Sequence, residues 1–516
     1  MKKKMLTLMF VIPFSVCFTN SCGFTPSKIV TDANIDQWYN ETTGDIDITE
    51  NVTIKWWTWG GQAANIIFTN IANTFSTEVC PNIKVEYTCL PSSSYLMTLA
   101  NSSNHLPDLF FMPDTDFYYY AFNNVIWDFS KYVTQEEIND VWEDAYERYL
   151  YNPTTKLVGK SEGAGLYALP KDISTFTLCF NEDMLKQACR YVSGTTNDAY
   201  YDAIAAEYLD ETNPMSWEKF IELGNLIKPW CTANKKKFLS HYELNAALFS
   251  NNADFLTDDG AASRIDEPQF AAALDFMHSL AFEHELMAGA SGSNTTTGYN
   301  SFVGQNSIFS FFGPWDCENF WGATSADPHG MGFTVRICPV PYGPGRDNVY
   351  GTADDGCSCA QIGSAGYCIS NKDTTSNLQR AAALKFCKWL TINEDAQREL
   401  YKKGTQIPNL KSMKDEYIEF GYGTIKTYGG DIIPVNPSNL SAFIDVIDGV
   451  SETDRVTGRA KTETRILSND FKEDWSRIVS EQKFWTSAST RGIDLVNAYR
   501  STLQSRIDES NAALGR

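Results

Sequence analysis

Four side chains suited to chemistry stand within five positions of one another: Trp315, Asp316, Glu318 and Asn319, directly after Gly313-Pro314. A flat indole can stack on the C–H face of a sugar ring, whose hydroxyls seek polar neighbours. The bland alternative is a buried tryptophan that plugs a gap between a helix and a sheet. Local sequence places the group at a corner. A polar turn at Gly304 to Ser307 leads into the strand-like run Ile308 to Phe312. Gly313-Pro314 stops that strand, because proline has no N–H for a ladder and glycine tolerates a sharp backbone angle. Asp316, Glu318 and Asn319 then fall in the first turn of a helix. In open α/β sheets, corners of this kind lie at the carboxyl ends of strands, where ligands bind.

Other chemistry is looked for without success. Gly159-Lys160-Ser161 has the end of a phosphate loop, but Thr154 occupies the position of its first glycine. There is no GxSxG and no HExxH, and His278 and His284 do not share a helix face. Asp258-Asp259 and Asp354-Asp355 are adjacent pairs whose carboxylates point apart, unlike the separated pair of a glycosidase. No catalysis is expected. The loop from Asp347 to Gly356, with Asp347, Asp354 and Asp355, has oxygen ligands around a glycine and could hold Ca²⁺, although it lacks the spacing and terminal glutamate of an EF-hand. A solvated acidic loop is the alternative. No other cofactor is implied.

The elements that must position these groups come from a chain of 516 residues, enough for two or three cores. Its 43% hydrophobic and 13% aromatic content describes packed domains. With 64 acidic against 42 basic residues, the surface repels phosphates, which disfavours nucleic acid as a partner. The thirteen cysteines contain no CxxC, and Cys80 and Cys89 flank an extended stretch too long for them to pair. Most read as small buried apolar residues.

The chain opens with Lys2-Lys3-Lys4 and an apolar run from Met5 to Phe18, a secretion signal over residues 1–21. Residues 22–51 are polar without periodicity and read as a tether. Val52 to Trp59, Ile83 to Tyr87 and Pro107 to Met112 then alternate with helical stretches. This βαβαβ order implies a parallel, helix-covered sheet that collects Trp59, Gly60, Asp114 and Thr115 on one rim. An extended crossing runs from Leu166 through Asp172 to Phe180. Ser216 caps a helix, Pro268 to Glu285 forms another, and Phe333 to Val340 is a strand before a glycine-rich loop. Ile493, Val496, Leu503 and Ile507 near the end keep helical spacing.

Taken in order, these stretches resemble the extracellular solute-binding lipoproteins of ABC importers, in their carbohydrate-binding branch. The matching stretches are Ile54 to Gly61, Pro107 to Met112, Tyr167 to Asp172, Trp217 to Phe220, Asn252 to Gly260 and Phe302 to Trp315. Cys338 to Pro341, Gly363 to Ile369 and Ala381 to Pro408 complete the set. Ser21-Cys22-Gly23 resembles the lipoprotein box, with Cys22 as the lipidated residue, although Thr19 replaces the usual aliphatic.

The resemblance implies two α/β lobes joined by a three-segment hinge, with a central ligand cleft. The N-terminal lobe would comprise 52–172 plus 360–406, the C-terminal lobe 173–345 plus 409–516, and 346–359 an inter-lobe loop. Trp315, Trp59, Asp114 and Thr115 would face the cleft, with a helix start at Tyr242, Glu243 and Asn245. Alternatives stand beside each. Trp59 could join Trp56 and Trp57 in a core, Tyr242 could be core with Glu243 or Asn245 outward, and Asp172 could bond backbone at the hinge. The implied role is a monomeric receptor, lipid-anchored outside the cytoplasmic membrane, that delivers an oligosaccharide to permease subunits. A surface glycoside hydrolase and a non-transport adhesin or sensor are the competing readings.

Overall fold

The computed structural model describes residues 28–102, 105–210, 213–257, 262–287, 295–321, 330–426, 432–444, 447 and 487–514. The expected signal peptide, Cys22, Asp258, Asp259 and residues 448–486 of the expected C-terminal lobe lie outside them. Among the described residues no helix is long and apolar enough to cross a membrane.

The first sheet has the order Ile83–Leu90, Val52–Trp59, Leu109–Pro113, Ala365–Ile369, Ala168–Pro170. Its first three strands are parallel, and Ala365–Ile369 runs antiparallel to both of its neighbours. The expected βαβαβ unit is therefore present, with helices Gln62–Thr74 and Ser92–Asn101 as its crossovers. Alternation along Val52–Trp59 buries Ile54, Trp56 and Thr58, the period-two pattern of a strand. Trp56 is the hub of this core. Its ring meets Phe68, Phe111 and Phe386 edge-on at centroid distances of 5.5, 6.0 and 5.1 Å. Each such pair adds about 0.5–1.5 kcal/mol beyond area burial. Phe386 comes from helix Asn377–Ile392, whose start is fixed by a capping box between Ser376 and Gln379.

The second sheet has the order Lys237–Leu239, Ser307–Phe312, Thr177–Asn181, Val335–Cys338. Thr177–Asn181 pairs antiparallel with both neighbours. Helix Trp217–Ala233 begins at Ser216, whose side chain accepts from the Lys219 N–H, as the sequence suggested. The last helix, Gly492–Leu514, lies on Pro268–Phe282: the Gly492 N–H donates to Asp275 at 2.8 Å and Arg500 reaches Asp266 at 2.6 Å. Val496, Leu503 and Ile507 are buried there, while Ile493 is exposed.

Three segments join the sheets, and they are tied to one another. Ser174–Thr175 pairs antiparallel with Ile362–Gly363. The Asn409 amide donates to the carbonyls of both Pro170 and Lys171 at 2.9 Å. Lys171 Nζ donates to Asp172 at 2.8 Å and to the Thr405 carbonyl at 2.9 Å. The Ser174 hydroxyl, Gln406 Oε1 and Asn409 Oδ1 are the buried side-chain atoms of these segments that find no partner among the described residues.

Two expectations are corrected. From residue 28 onward the supposed tether is not free: Ile35, Ile46 and Ile48 are buried in the core and Ile29 bridges Lys372. Lys385 and Lys388 donate to the carbonyls of Ile46 and Gly44. Gly44, Ile46 and Ile48 are buried in alternation with exposed Asp45 and Asp47, a run too short to stand out in a polar stretch. The loop expected between the lobes folds instead onto the second one. Asn252 Nδ2 donates to the carbonyls of Asp354 and Asp355, and the Gly356 N–H to that of Gly343. Gly345 is required here. It has φ +73°, and a Cβ would lie 1.7 Å from the Asp354 carbonyl oxygen. The cysteine reading stands: no disulfide links the eleven described cysteines, and most of them are buried.

Candidate ligand-binding cleft

Strand Ser307–Phe312 ends where the sequence placed the corner, and Pro314–Asp316 turns into the short helix Cys317–Phe320. The turn is held by the Gly313 N–H, which donates to Asp316 Oδ2 at 3.3 Å. Trp315 is half-buried, and its ring meets Phe176 edge-on at 5.1 Å and 89°. The indole folds over Gly313 so closely that a Cβ there would lie 2.2 Å from its ring carbons. Glycine at this site is a packing requirement. The Glu318 N–H donates to the Gly404 carbonyl at 3.0 Å, which ties the helix to a crossing segment.

Around this corner lies a cleft of about 480 Å³ lined from both halves. Trp59, Gly60, Gly61, Ala64 and Asp114 come from the first lobe. Phe176, Trp315, Asp316, Glu318 and Asn319 come from the second, and Lys171, Asp172, Ser174, Gln361 and Thr405 from the crossings. Six of the ten expected ligand-binding residues therefore meet here: Trp315, Asp316, Trp59, Gly60, Asp114 and Asp172. Trp59 is half-buried, and it leans on Tyr95 and Phe111 at 5.1 and 5.2 Å. The core position belongs to Trp56 instead.

Four others are elsewhere. Thr115 is not among the lining residues and donates to Asp116 at 2.9 Å. Tyr242 is sealed in the second core against Phe311 and Phe276, at 4.8 and 5.1 Å. Glu243 pairs with His241 at 3.2 Å. Asn245 stands behind the wall and donates to the cleft-lining Gln361 at 2.6 Å. A helix start inferred by resemblance does not tell which of its side chains points outward, and here the aromatic one points inward.

Sequence reasoning passed over Phe176, Lys171, Ser174, Gln361 and Thr405 as cleft residues. For Phe176 a signal existed. Its neighbours Thr175 and Thr177 are buried, so the alternation of an extended segment turns Phe176 to the other side.

The charges differ in how they are matched. Asp114 is buried against Arg148, 2.7 Å away, and Asp172 against Lys171. Asp172 also accepts from the Ala365 N–H at 3.2 Å, so its hinge role is real. Burial pushes Asp316 up to about 7, against the Gly313 N–H. Burial likewise pushes Glu318 up to about 7, and the nearby Asp316 adds to the rise. Lys171 and the Ala64 N–H, in the first turn of helix Gln62–Thr74, oppose it. That helix has Gly61 at its N-cap and no side-chain cap of its own, and the Glu318 carboxyl faces its amide end instead.

The candidate metal loop uses its oxygens locally. Asp347 accepts from the Val349 N–H and Asp355 from the Gly351 N–H. Among the described residues no group of three or more His, Cys, Asp or Glu side chains is placed to hold a metal.

Residues 70–420 match the family model described as bacterial extracellular solute-binding protein. The chain belongs to that family. Among solved structures, this solute-binding protein is similar to an ABC substrate-binding protein from Listeria monocytogenes in complex with cycloalternan. The identity is 15%, the TM-score 0.60, and the match covers 90% of this chain and 100% of that one. It is similar to a solute-binding protein from Thermotoga lettingae bound with α-D-tagatose, at 15% identity and TM-score 0.61, covering 88% and 99%. A third is UgpB from Mycobacterium tuberculosis in complex with glycerophosphocholine, at 14% identity and TM-score 0.60, covering 89% and 99%. At these identities the likeness is one of fold, the two-lobed architecture expected from the sequence. No curated relative matches the chain.

Proposed function

We propose that this protein binds an oligosaccharide or related polyol in the inter-lobe cleft and delivers it to the permease subunits of an ABC importer. The observation that carries this reading is the half-exposed indole of Trp315 in a cleft lined from both lobes, beside carboxylates that accept hydroxyl hydrogen bonds. Membership of the solute-binding family supports it, as do neighbours whose bound ligands are cycloalternan and α-D-tagatose. Closure of the lobes about the tied crossings would provide the signal that a transporter reads. In this reading the protein acts by binding without turnover, as a monomer, held outside the cytoplasmic membrane by a lipid on Cys22.

A panel of mono- and oligosaccharides examined by isothermal titration calorimetry tests the proposal. Micromolar or tighter binding of one sugar class is expected, with a smaller radius of gyration on loading. Absence of binding across the panel would overturn it.

A further inference from the structure

The cleft contains more acid than its own cations match. Two of its four carboxylates are spoken for: Asp114 by Arg148 at 2.7 Å, and Asp172 by Lys171 at 2.8 Å. Lys171 is the cation that lines the cleft, and its ammonium is also held by the Thr405 carbonyl at 2.9 Å. Asp316 and Glu318 have no ion-pair partner among the described residues. They stand two positions apart at the same corner and line the same cleft as Trp315.

A second observation is independent of charge. Ser174 lines the same cleft, is only 4% exposed, and its hydroxyl has no hydrogen-bond partner among the described residues. Its short strand packs against the Pro314–Asp316 turn. A buried hydroxyl without a partner costs free energy unless a ligand satisfies it.

A neutral guest that fills this space strips water from two carboxylates and returns only hydroxyl hydrogen bonds. A guest with a positive charge removes the mismatch and gains attraction to the indole face. Resting on the carbohydrate reading above, we propose that the preferred ligand is an amino-substituted saccharide. Its ammonium lies against Asp316 and Glu318, its ring against Trp315, and a hydroxyl at Ser174. The groups facing the two acids are each other, Lys171, Tyr87, Tyr299 and the thiols of Cys179 and Cys317; Lys171 alone is cationic. Both carboxyls are pushed up to about 7, while an amino-sugar ammonium, like an α-amino group, loses its proton at about 8, so binding should be tightest near pH 7; a polyamine that stays charged would instead tighten steadily from pH 6 to pH 8.

The test compares glucosamine di- and trisaccharides with their N-acetylated forms, with maltotriose and with spermidine, by calorimetry at pH 6, 7 and 8. The free-amine sugars are expected to bind at least about tenfold more tightly than the acetylated or neutral ones at pH 7. Glu318→Gln and Asp316→Asn should each narrow that gap, and the pH dependence of the unaltered protein provides a reading that needs no variant. Neutral sugars binding equally well, or a preference unchanged in both variants, would overturn the inference and leave the carbohydrate reading standing. Spermidine binding without amino-sugar binding would also overturn it, by assigning the acids to a plain polyamine. Binding of none of the four would overturn the inference, and the carbohydrate reading would fall with it only if the wider sugar panel were also silent.

Discussion

Arg148 Nη1 lies 2.7 Å from Asp114 Oδ2, and both side chains are almost wholly buried, at 2% and 8% exposed. The same guanidinium donates to the carbonyls of Asp144 and Ile362, so one residue joins a strand end, a helix and a crossing segment. Removing one partner of such a pair strands a buried charge. Arg148→Met is expected to destabilise the protein by about 3 kcal/mol, read as a lower urea midpoint at an unchanged slope. A loss under about 1 kcal/mol would show that water already screens Asp114.

Trp315 owes its posture to the missing side chain at Gly313. Gly313→Ala puts a methyl into the ring, which must swing aside. Ligand affinity should fall about tenfold while the thermal midpoint moves little; Trp315→Ala should cost more, about 2 kcal/mol or beyond. If Gly313→Ala binds normally, the indole is not part of the floor.

The acids at that corner make the ligand-free protein pH-sensitive in a definite direction. Their folded values, about 7, lie above those of an unfolded chain. The folded state therefore holds protons that the unfolded chain has released between about pH 4 and 7. Their contribution to stability is present at the acid end of that window and is lost as pH rises through 7. The thermal midpoint should fall less from pH 5.5 to 8 in the Asp316→Asn, Glu318→Gln double variant than in the unaltered protein.

Glu416 behaves the opposite way. Hydrogen bonds from Arg398 and Tyr401 hold it down to about 2, linking helix Glu394–Lys402 to Lys414–Phe420. Its stabilisation is present above the ordinary glutamate range and is lost as pH falls through about 2. Glu416→Gln should lower the midpoint at pH 7 and leave it nearly unchanged at pH 2.

Asn409 tests the hinge. Its amide serves two buried carbonyls; Asn409→Ala takes that donor from Lys171 and leaves Pro170 with Thr391 Oγ1, at a cost of about 1–3 kcal/mol. Scattering should also report a wider spread of lobe separations in the variant. A stable variant with an unchanged profile would show that the strand pair across the crossings suffices.

How much of this was legible depended on whether a residue's role was fixed locally. Val52 to Trp59 was readable as a strand from its β-branched and aromatic residues, but with Trp56, Trp57 and Trp59 close together the sequence did not say which of them faced the core. Gly313-Pro314 could only end a strand, so the position of Trp315 was readable before any fold was known. Tyr242 was not readable, because the few residues opening a helix point in different directions and only the packing of Phe276 and Phe311 decides among them. Ser174 and Gln361 belong to the cleft through a pairing between segments nearly two hundred positions apart, which no local pattern encodes. The strap at Ile35 to Ile48 escaped notice because its alternating stretch, Gly44 to Ile48, is only five residues long and sits among polar residues.

That strap bears on how the receptor would sit at a membrane. A lipid on Cys22 would be separated from Lys28, which exchanges two hydrogen bonds with Asp373, by a span of at most roughly 22 Å. The first lobe would then be moored close to the bilayer, like a boat on a short line. The second lobe would be the half left to swing, so a guest would be caught and surrendered within one molecular diameter of the lipid.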